Sequence, residues 1–345
     1  MERRRLGKTD ILASVLGFGG SEIGYQRASG RTVARLLGSA LDAGLTVIDT
    51  AECYEDSEIL IGQALGARRR ECFLFTKCGH ARGWGRAEWR PAALLASIER
   101  SLRRLETDHV DLIQLHSCSL AQLRQGDVIA ALERAREHGW ARYIGYSGDG
   151  EAARYAVECG RFDTLQTSVS VADQEAIELT LPLAAARQMG VIAKRPLANV
   201  AWRYARKPAE AYYQTYWSRL RKLDYAFLGE PGDGAVATAL RFTLGTPAST
   251  PRSSAPRSPS GGRRTPRCSA AGPCPRESAS GSARAGARWP ARHGAARYRR
   301  TAGKSAASVE VPRTPAQGAR WMGKAGGMMR STGARSHRQV GTWLQ

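Results

Sequence analysis

The sequence predicts an α/β fold, a (β/α)₈ (TIM) barrel in which the eighth strand is not recognisable. An N-terminal hairpin precedes it and a basic C-terminal tail follows. Three observations predict this. Short β-branched or aromatic runs alternate with amphipathic stretches, giving seven strand-like runs between Val15 and Lys194. Repeated βα units imply a parallel sheet buried on both faces, and seven in succession favour a closed barrel over an open sheet. No Gly-x-Gly-x-x-Gly follows the first run, which argues against a doubly wound dinucleotide-binding sheet.

The strand-like runs, in order, are residues 15–19, 46–49, 72–77, 110–116, 142–146, 164–166 and 190–194. Each is short and bounded by turn residues. Amphipathic stretches over 31–43, 91–105, 124–138 and 176–189 read as helices. Pro91 suits a first helical turn, where its missing N–H costs nothing. Gly44, Gly139, Gly160 and Gly190 stand just past helix-like runs, where a left-handed cap is expected. Residues 201–223 break the rhythm, are rich in aromatics and read as a helical insertion; 234–244 reads as the next barrel helix.

Near Pro247 the pattern stops, which places a boundary between a barrel of residues 1–247 and a low-complexity tail of residues 248–345. Ala, Arg, Gly, Pro and Ser supply 70 of the 98 tail residues, and Leu, Ile, Val and Phe only four. That composition cannot bury enough apolar surface to offset roughly 1–2 kcal/mol of backbone entropy per residue. The tail is expected to be disordered. GC-rich DNA read out of frame yields such text, so a reading frame shifted near Pro247 is one origin to test.

The charge follows the same boundary. The chain of 345 residues carries a formal net charge of +21, which resembles a nucleic-acid binder. Yet the tail holds 19 Lys and Arg against 2 Asp and Glu, and the remaining 247 residues hold 33 against 29. The body is therefore nearly balanced, and nucleic-acid binding rests on the tail alone, with no DNA- or RNA-binding motif beside it. Seven cysteines without a CxxC pair suggest free thiols in a reducing cytoplasm. No apolar run is long enough to span a bilayer, and no secretory h-region follows Met1. Oligomeric state has no signature.

The residues that carry chemistry stand at strand ends. Asp49 ends the second strand, with Tyr54 in the loop after it; Lys77 ends the third and His116 the fourth. In a barrel of this kind these ends converge on one face. Reducing a carbonyl needs a hydride for carbon and a proton for the developing alkoxide. A tyrosine can give that proton if a nearby lysine stabilises its phenolate. An aspartate can hold the lysine, and a histidine can orient the carbonyl oxygen. Cys53 and Cys118 flank the site without any sign of an activated thiol.

Asp49-Thr-Ala-Glu-Cys-Tyr54 followed by Ser57-Glu-Ile-Leu-Ile-Gly62 resembles the aldo/keto reductase signature. Phe75-Thr-Lys77 and Asp111-Leu-Ile-Gln-Leu-His116 are similar to its next two strands, and Arg4-Arg-Leu-Gly-Lys-Thr9 with Leu16-Gly-Phe-Gly-Gly20 to its opening. The resemblance covers residues 1–246. It implies an oxidoreductase that reduces an aldehyde or ketone with NADPH, or with NADH. Tyr54 would be the general acid, Lys77 the partner that lowers its pKa, Asp49 the support and His116 the substrate-orienting residue. Ser147, Gln166 and Asp49 would contact the cofactor. The family's Ser-Asn pair is Ser147-Gly148 here, and its Ala-Tyr-Ser-Pro, whose ring stacks on the nicotinamide, is Ala193-Lys194-Arg195-Pro196. Neither the eighth strand nor the phosphate-binding loop follows Pro247. A barrel lacking the cofactor-phosphate site, and so inactive, is the rival expectation.

Overall fold

The computed structural model describes residues 1–230, 233–246 and 342–344. Two compact units divide the chain, residues 1–257 with 337–345, and residues 258–336; every described residue lies in the first. Most of the tail, with the expectations of disorder and of a shifted frame, lies outside the described residues, as does any phosphate loop beyond residue 246.

Two short strands open the chain, β1 (Arg3–Arg5) and β2 (Leu12–Ser14), paired antiparallel. Seven parallel strands follow: β3 (Leu16–Gly19), β4 (Val47–Asp49), β5 (Phe73–Cys78), β6 (Val110–His116), β7 (Ala141–Ser147), β8 (Thr164–Ser168) and β9 (Gly190–Lys194). A three-residue strand, β10 (Thr342–Leu344), closes the ring between β3 and β9, antiparallel to both. No parallel eighth strand follows the last helix among the described residues. The helices are α1 (Ser21–Tyr25), α2 (Gly30–Asp42), α3 (Ser57–Leu65), α4 (Pro91–Arg104), α5 (Leu120–Gln125), α6 (Asp127–Glu137), α7 (Gly150–Glu158), α8 (Glu175–Leu179), α9 (Leu181–Ala186), α10 (Ala211–Leu223) and α11 (Gly234–Gly245).

Strand periodicity divides the core in two. Val47, Phe75, Leu112 and Ile192 face the barrel interior, where Leu6 and Ile11 of the hairpin pack onto them and plug the N-terminal mouth. Ile48, Leu74, Ile113, Leu115, Leu165 and Val191 face outward and bury the helices' apolar stripes, among them Val33, Leu37, Ile98 and Leu132. Asp111, at the start of β6, binds the lower rim together. Its carboxylate accepts from the Leu74 N–H at 2.8 Å, from Arg142 at 2.8 Å and from Arg69 at 3.1 Å.

Local chemistry explains where expected elements shift. The helix read over 124–138 is two helices, because Gly126 takes φ 85° and turns the chain between α5 and α6. The helix read over 176–189 breaks at Thr180, and Pro182 sits in the first turn of α9. The stretch 201–223 becomes helical only from Ala211, after a 3₁₀ segment at Ala198–Arg203. Gly44, Gly139 and Gly160 adopt positive φ at helix ends, as their positions suggest. Gly190 does not: Gln188 takes the left-handed turn at φ 52°, and Gly190 opens β9 where an added Cβ would lie 2.7 Å from Leu6 Cγ. Close packing on the hairpin, not a cap, requires that glycine.

Candidate active site

The same period of two that sends Ile48 and Leu74 outward sends their neighbours inward. Asp49, Lys77, Gln114, His116, Ser147, Gln166 and Lys194 therefore occupy inward positions at the C-terminal ends of β4 to β9. Tyr54 joins them from the turn between β4 and α3. Its backbone N–H donates to Ala51 O at 3.0 Å, and its carbonyl accepts from Ser57 N–H at 2.9 Å, which fixes the ring over the barrel mouth. Gly24 of α1 lies against that carbonyl so closely that an added Cβ would stand 2.0 Å from it.

Lys77 donates to Asp49 Oδ2 at 2.6 Å and to the Thr50 carbonyl at 2.8 Å, and both side chains are buried. Gln114 Nε2 donates to the other Asp49 oxygen at 3.4 Å. The Lys77 ammonium is 5.3 Å from the centre of the Tyr54 ring. Burial pushes the Tyr54 phenol well above its ordinary value, and the Asp49 carboxylate adds to that push. The phenol thus keeps its proton at neutral pH. A proton held this way is available to an oxygen that becomes a stronger base than phenolate.

His116 meets the Tyr54 ring edge-on, with centroids 5.8 Å apart. Burial holds its pKa well below the ordinary value, followed by the charges of Lys77, His80, Lys194 and Arg195. It is a neutral imidazole. Cys53 Sγ lies 3.5 Å from its Nδ1, and its backbone carbonyl accepts from His80 Nε2 at 2.8 Å. His80 stacks on Trp84, and Trp84 in turn meets His116 at 5.0 Å between centroids. Tyr25 closes the other side, 5.7 Å from Tyr54. These rings give the mouth an apolar wall beside its polar floor.

The loop carrying His80 and Trp84 is rooted on a buried carboxylate. Glu52 Oε1 accepts the Gly79 and His80 N–H groups at 2.6 and 2.7 Å, while Oε2 accepts from Ser97 and, at 3.0 Å, from Arg100. The sequence reading assigns Glu52 no role, although it lies inside the motif Asp49–Tyr54. Gln114 has no role in that reading, and Lys194 stands there only in place of a ring, although strand alternation points both inward. The contact of Cys53 with His116 spans 63 residues and had no local signal.

On the opposite wall, Ser147 Oγ donates to Gln166 Oε1 at 2.8 Å. The Gln166 amide nitrogen is buried and has no partner among the described residues. A buried donor left unpaired is costly, and a nicotinamide carboxamide oxygen is an acceptor of the kind it lacks. The residues present therefore fit that group. Gly148 stands where the family has asparagine, and an added Cβ there would lie 2.3 Å from Tyr146 Oη. Tyr146, itself donating to Cys118 O at 2.9 Å, has taken that space. Lys194, where the family places its stacking ring, instead bonds Asp149 Oδ2 at 2.9 Å. Burial draws the Lys194 pKa down against the pull of Asp149. The Asp149 carboxyl falls to about 2, because Lys194, the Ser168 N–H and Arg195 together outweigh its burial.

The family model for aldo/keto reductases matches residues 15–237, and the chain belongs to that family. An uncharacterized oxidoreductase of Bacillus subtilis, YqkF, is 29% identical over 209 residues, 58% of this chain and 66% of that protein. L-galactose dehydrogenase of Arabidopsis thaliana is 28% identical over 214 residues, 57% of this chain and 66% of its own length. This chain thus spans just under two thirds of the length of these two relatives. Among solved structures, an aldo-keto reductase from Bacillus halodurans in its holo form superposes with a TM-score of 0.59 at 26% identity, over 71% of this chain and 84% of that one. Among the described residues, no helix is long and apolar enough to cross a membrane, and no cluster of His, Cys, Asp and Glu could hold a metal ion.

Proposed function

We propose that the chain reduces an aldehyde or ketone to an alcohol, taking hydride from NADPH, with NADH as the other candidate donor. One observation carries this reading. Tyr54, Lys77, Asp49 and His116 converge on one barrel mouth, and Gln166, with its unpaired buried amide nitrogen, stands near the end of β8 at the same end of the barrel. When bound, the reduced nicotinamide supplies the hydride that the carbonyl carbon accepts. Tyr54 gives its proton to the carbonyl oxygen as negative charge develops there. Lys77, 5.3 Å from the ring, stabilises the phenolate that remains. Asp49 holds the ammonium in place through its 2.6 Å bond. Neutral His116 orients the carbonyl oxygen through a ring N–H. Gln166 and Ser147 hold the carboxamide, and the rings of Trp84, His80 and Tyr25 receive the apolar part of a small-molecule substrate. Five free cysteines among the described residues suit a reducing compartment, and we assign the protein to the cytoplasm.

The test is consumption of NADPH by the purified full chain with a generic aldehyde. Turnover is expected, and Tyr54→Phe is expected to lower kcat by about 10²–10⁴-fold. Folded protein that neither binds nor consumes NADPH would instead establish the inactive barrel.

A further inference from the structure

Two buried histidines line the mouth, and their neighbours treat them differently. His80 donates from Nε2 to the His116 carbonyl at 2.8 Å, and its Nδ1 has no partner among the described residues. His116 is engaged on the other nitrogen. Its Nδ1 faces Cys53 Sγ at 3.5 Å, within the range of a sulfur hydrogen bond, and no described residue bonds its Nε2. Cys53 is itself fixed in place. It sits between Glu52, which is clamped on four donors, and Tyr54, and its carbonyl accepts from the Tyr25 hydroxyl at 3.4 Å.

We propose that Cys53 is a positioning residue, whose S–H donates to His116 Nδ1 and thereby fixes the proton of the neutral imidazole on Nε2, aimed at the substrate oxygen. A neutral imidazole has one donor and one acceptor nitrogen, and the bond made by one decides the role of the other. Sulfur is a weak acceptor and imidazole nitrogen a good one, so the pair resolves as S–H to nitrogen. Burial supports the same direction, since it pushes the Cys53 thiol up to about 12 and keeps its hydrogen in place, while His116 stays neutral. The Nε2–H then points where Tyr54 delivers its proton, and two donors converge on one oxygen. The inference rests on the carbonyl-reductase reading for its catalytic consequence, but the tautomer can be read without turnover.

The experiment uses the full chain labelled with ¹⁵N at histidine. Two-bond correlations assign the His116 ring, with His116→Gln identifying its signals. The wild-type ring is expected as the Nε2–H form. Cys53→Val removes the donor and keeps the bulk, and is expected to populate the Nδ1–H form. Cys53→Ser restores a donor and is expected to restore Nε2–H. In turnover, Cys53→Val should lower kcat/KM about fivefold, which is the factor one net hydrogen bond of ordinary strength represents, and Cys53→Ser should recover most of it. A merely packing role predicts the reverse order, because valine fills the space and serine does not. An Nδ1–H ring in the wild type, or a ring unchanged by Cys53→Val in folded protein, overturns the proposal. If the tautomers behave as stated and no carbonyl is reduced, the reductase reading fails and the role of Cys53 toward His116 stands.

Discussion

Replacing Lys77 by methionine removes one half of a buried ion pair and leaves the other half behind. The pair is 2.6 Å apart, with side-chain exposures of 1% for Lys77 and 6% for Asp49. After the change, the Asp49 carboxylate keeps, among the described residues, the 3.4 Å bond from Gln114 alone. A buried charge that loses its partner costs about 3–5 kcal/mol, whereas replacing both members is often close to neutral. Lys77→Met alone should therefore lower stability by about 3–5 kcal/mol. Asp49→Asn alone should cost less, because the ammonium retains the Thr50 carbonyl at 2.8 Å. The double variant should return to within about 2 kcal/mol of the parent, giving a large coupling between the two sites. Urea unfolding followed by tryptophan fluorescence measures all three. Activity should not follow stability: the double variant regains its fold and stays about 10²–10⁴-fold slower, since no cation then steadies the phenolate. If the double variant is destabilised by the sum of the two single losses, the pair is not coupled and the argument from burial fails.

Three further outcomes follow from the same geometry. The depressed pKa of His116 makes its contribution to stability complete above the unfolded value of about 6.5 and lost as pH falls toward the folded one, because only the unfolded chain then takes the proton. Unfolding free energies measured below about pH 6.5 should drop with a slope of up to roughly 1.4 kcal/mol per pH unit from this group, and His116→Gln should flatten that slope. Gly24→Ala forces the Tyr54 carbonyl to move from a clash at 2.0 Å, so steady-state kinetics should show kcat reduced by about tenfold or more, with the Kd for NADPH little changed. Gln166→Leu removes an amide nitrogen that no described residue uses, and with it the oxygen that accepts the Ser147 hydroxyl at 2.8 Å; fluorescence titration should show NADPH binding weakened by about tenfold, and unfolding should show a loss of about 1–3 kcal/mol from the buried hydroxyl left unpaired.

The parallel strands were legible because each is a short apolar run with a turn at either end, and observed bounds such as Val110–His116 and Gly190–Lys194 coincide with the pattern. The three polar strand-end residues were legible for the same reason: alternation fixes Asp49, Lys77 and His116 on the face opposite Ile48, Leu74 and Leu115. Less visible was whatever depends on partners far along the chain. Nothing near residue 190 announces that Leu6 packs there, so its glycine read as a cap. Nothing near residue 53 announces His116. The exchange of a stacking ring for Lys194 was visible, but its pairing with Asp149 needed the strands side by side. The closing strand at Thr342–Leu344 is too short and too isolated to stand out in its surroundings.

Glu52 has a consequence for how this mouth could diversify. Because its carboxylate grips the loop at Gly79 and His80, the clamp is at the root and the tip is left out of it. Trp84 stands at that tip, between Gly83 at φ 95° and Gly85 at φ 87°, and meets the histidines below through its ring, while the backbone of His80 is held by the root. The root behaves as a fixed socket and the tip as an exchangeable fitting. New preferences among carbonyl compounds are most easily acquired by replacing the tip, with the proton-donating group left intact beneath it.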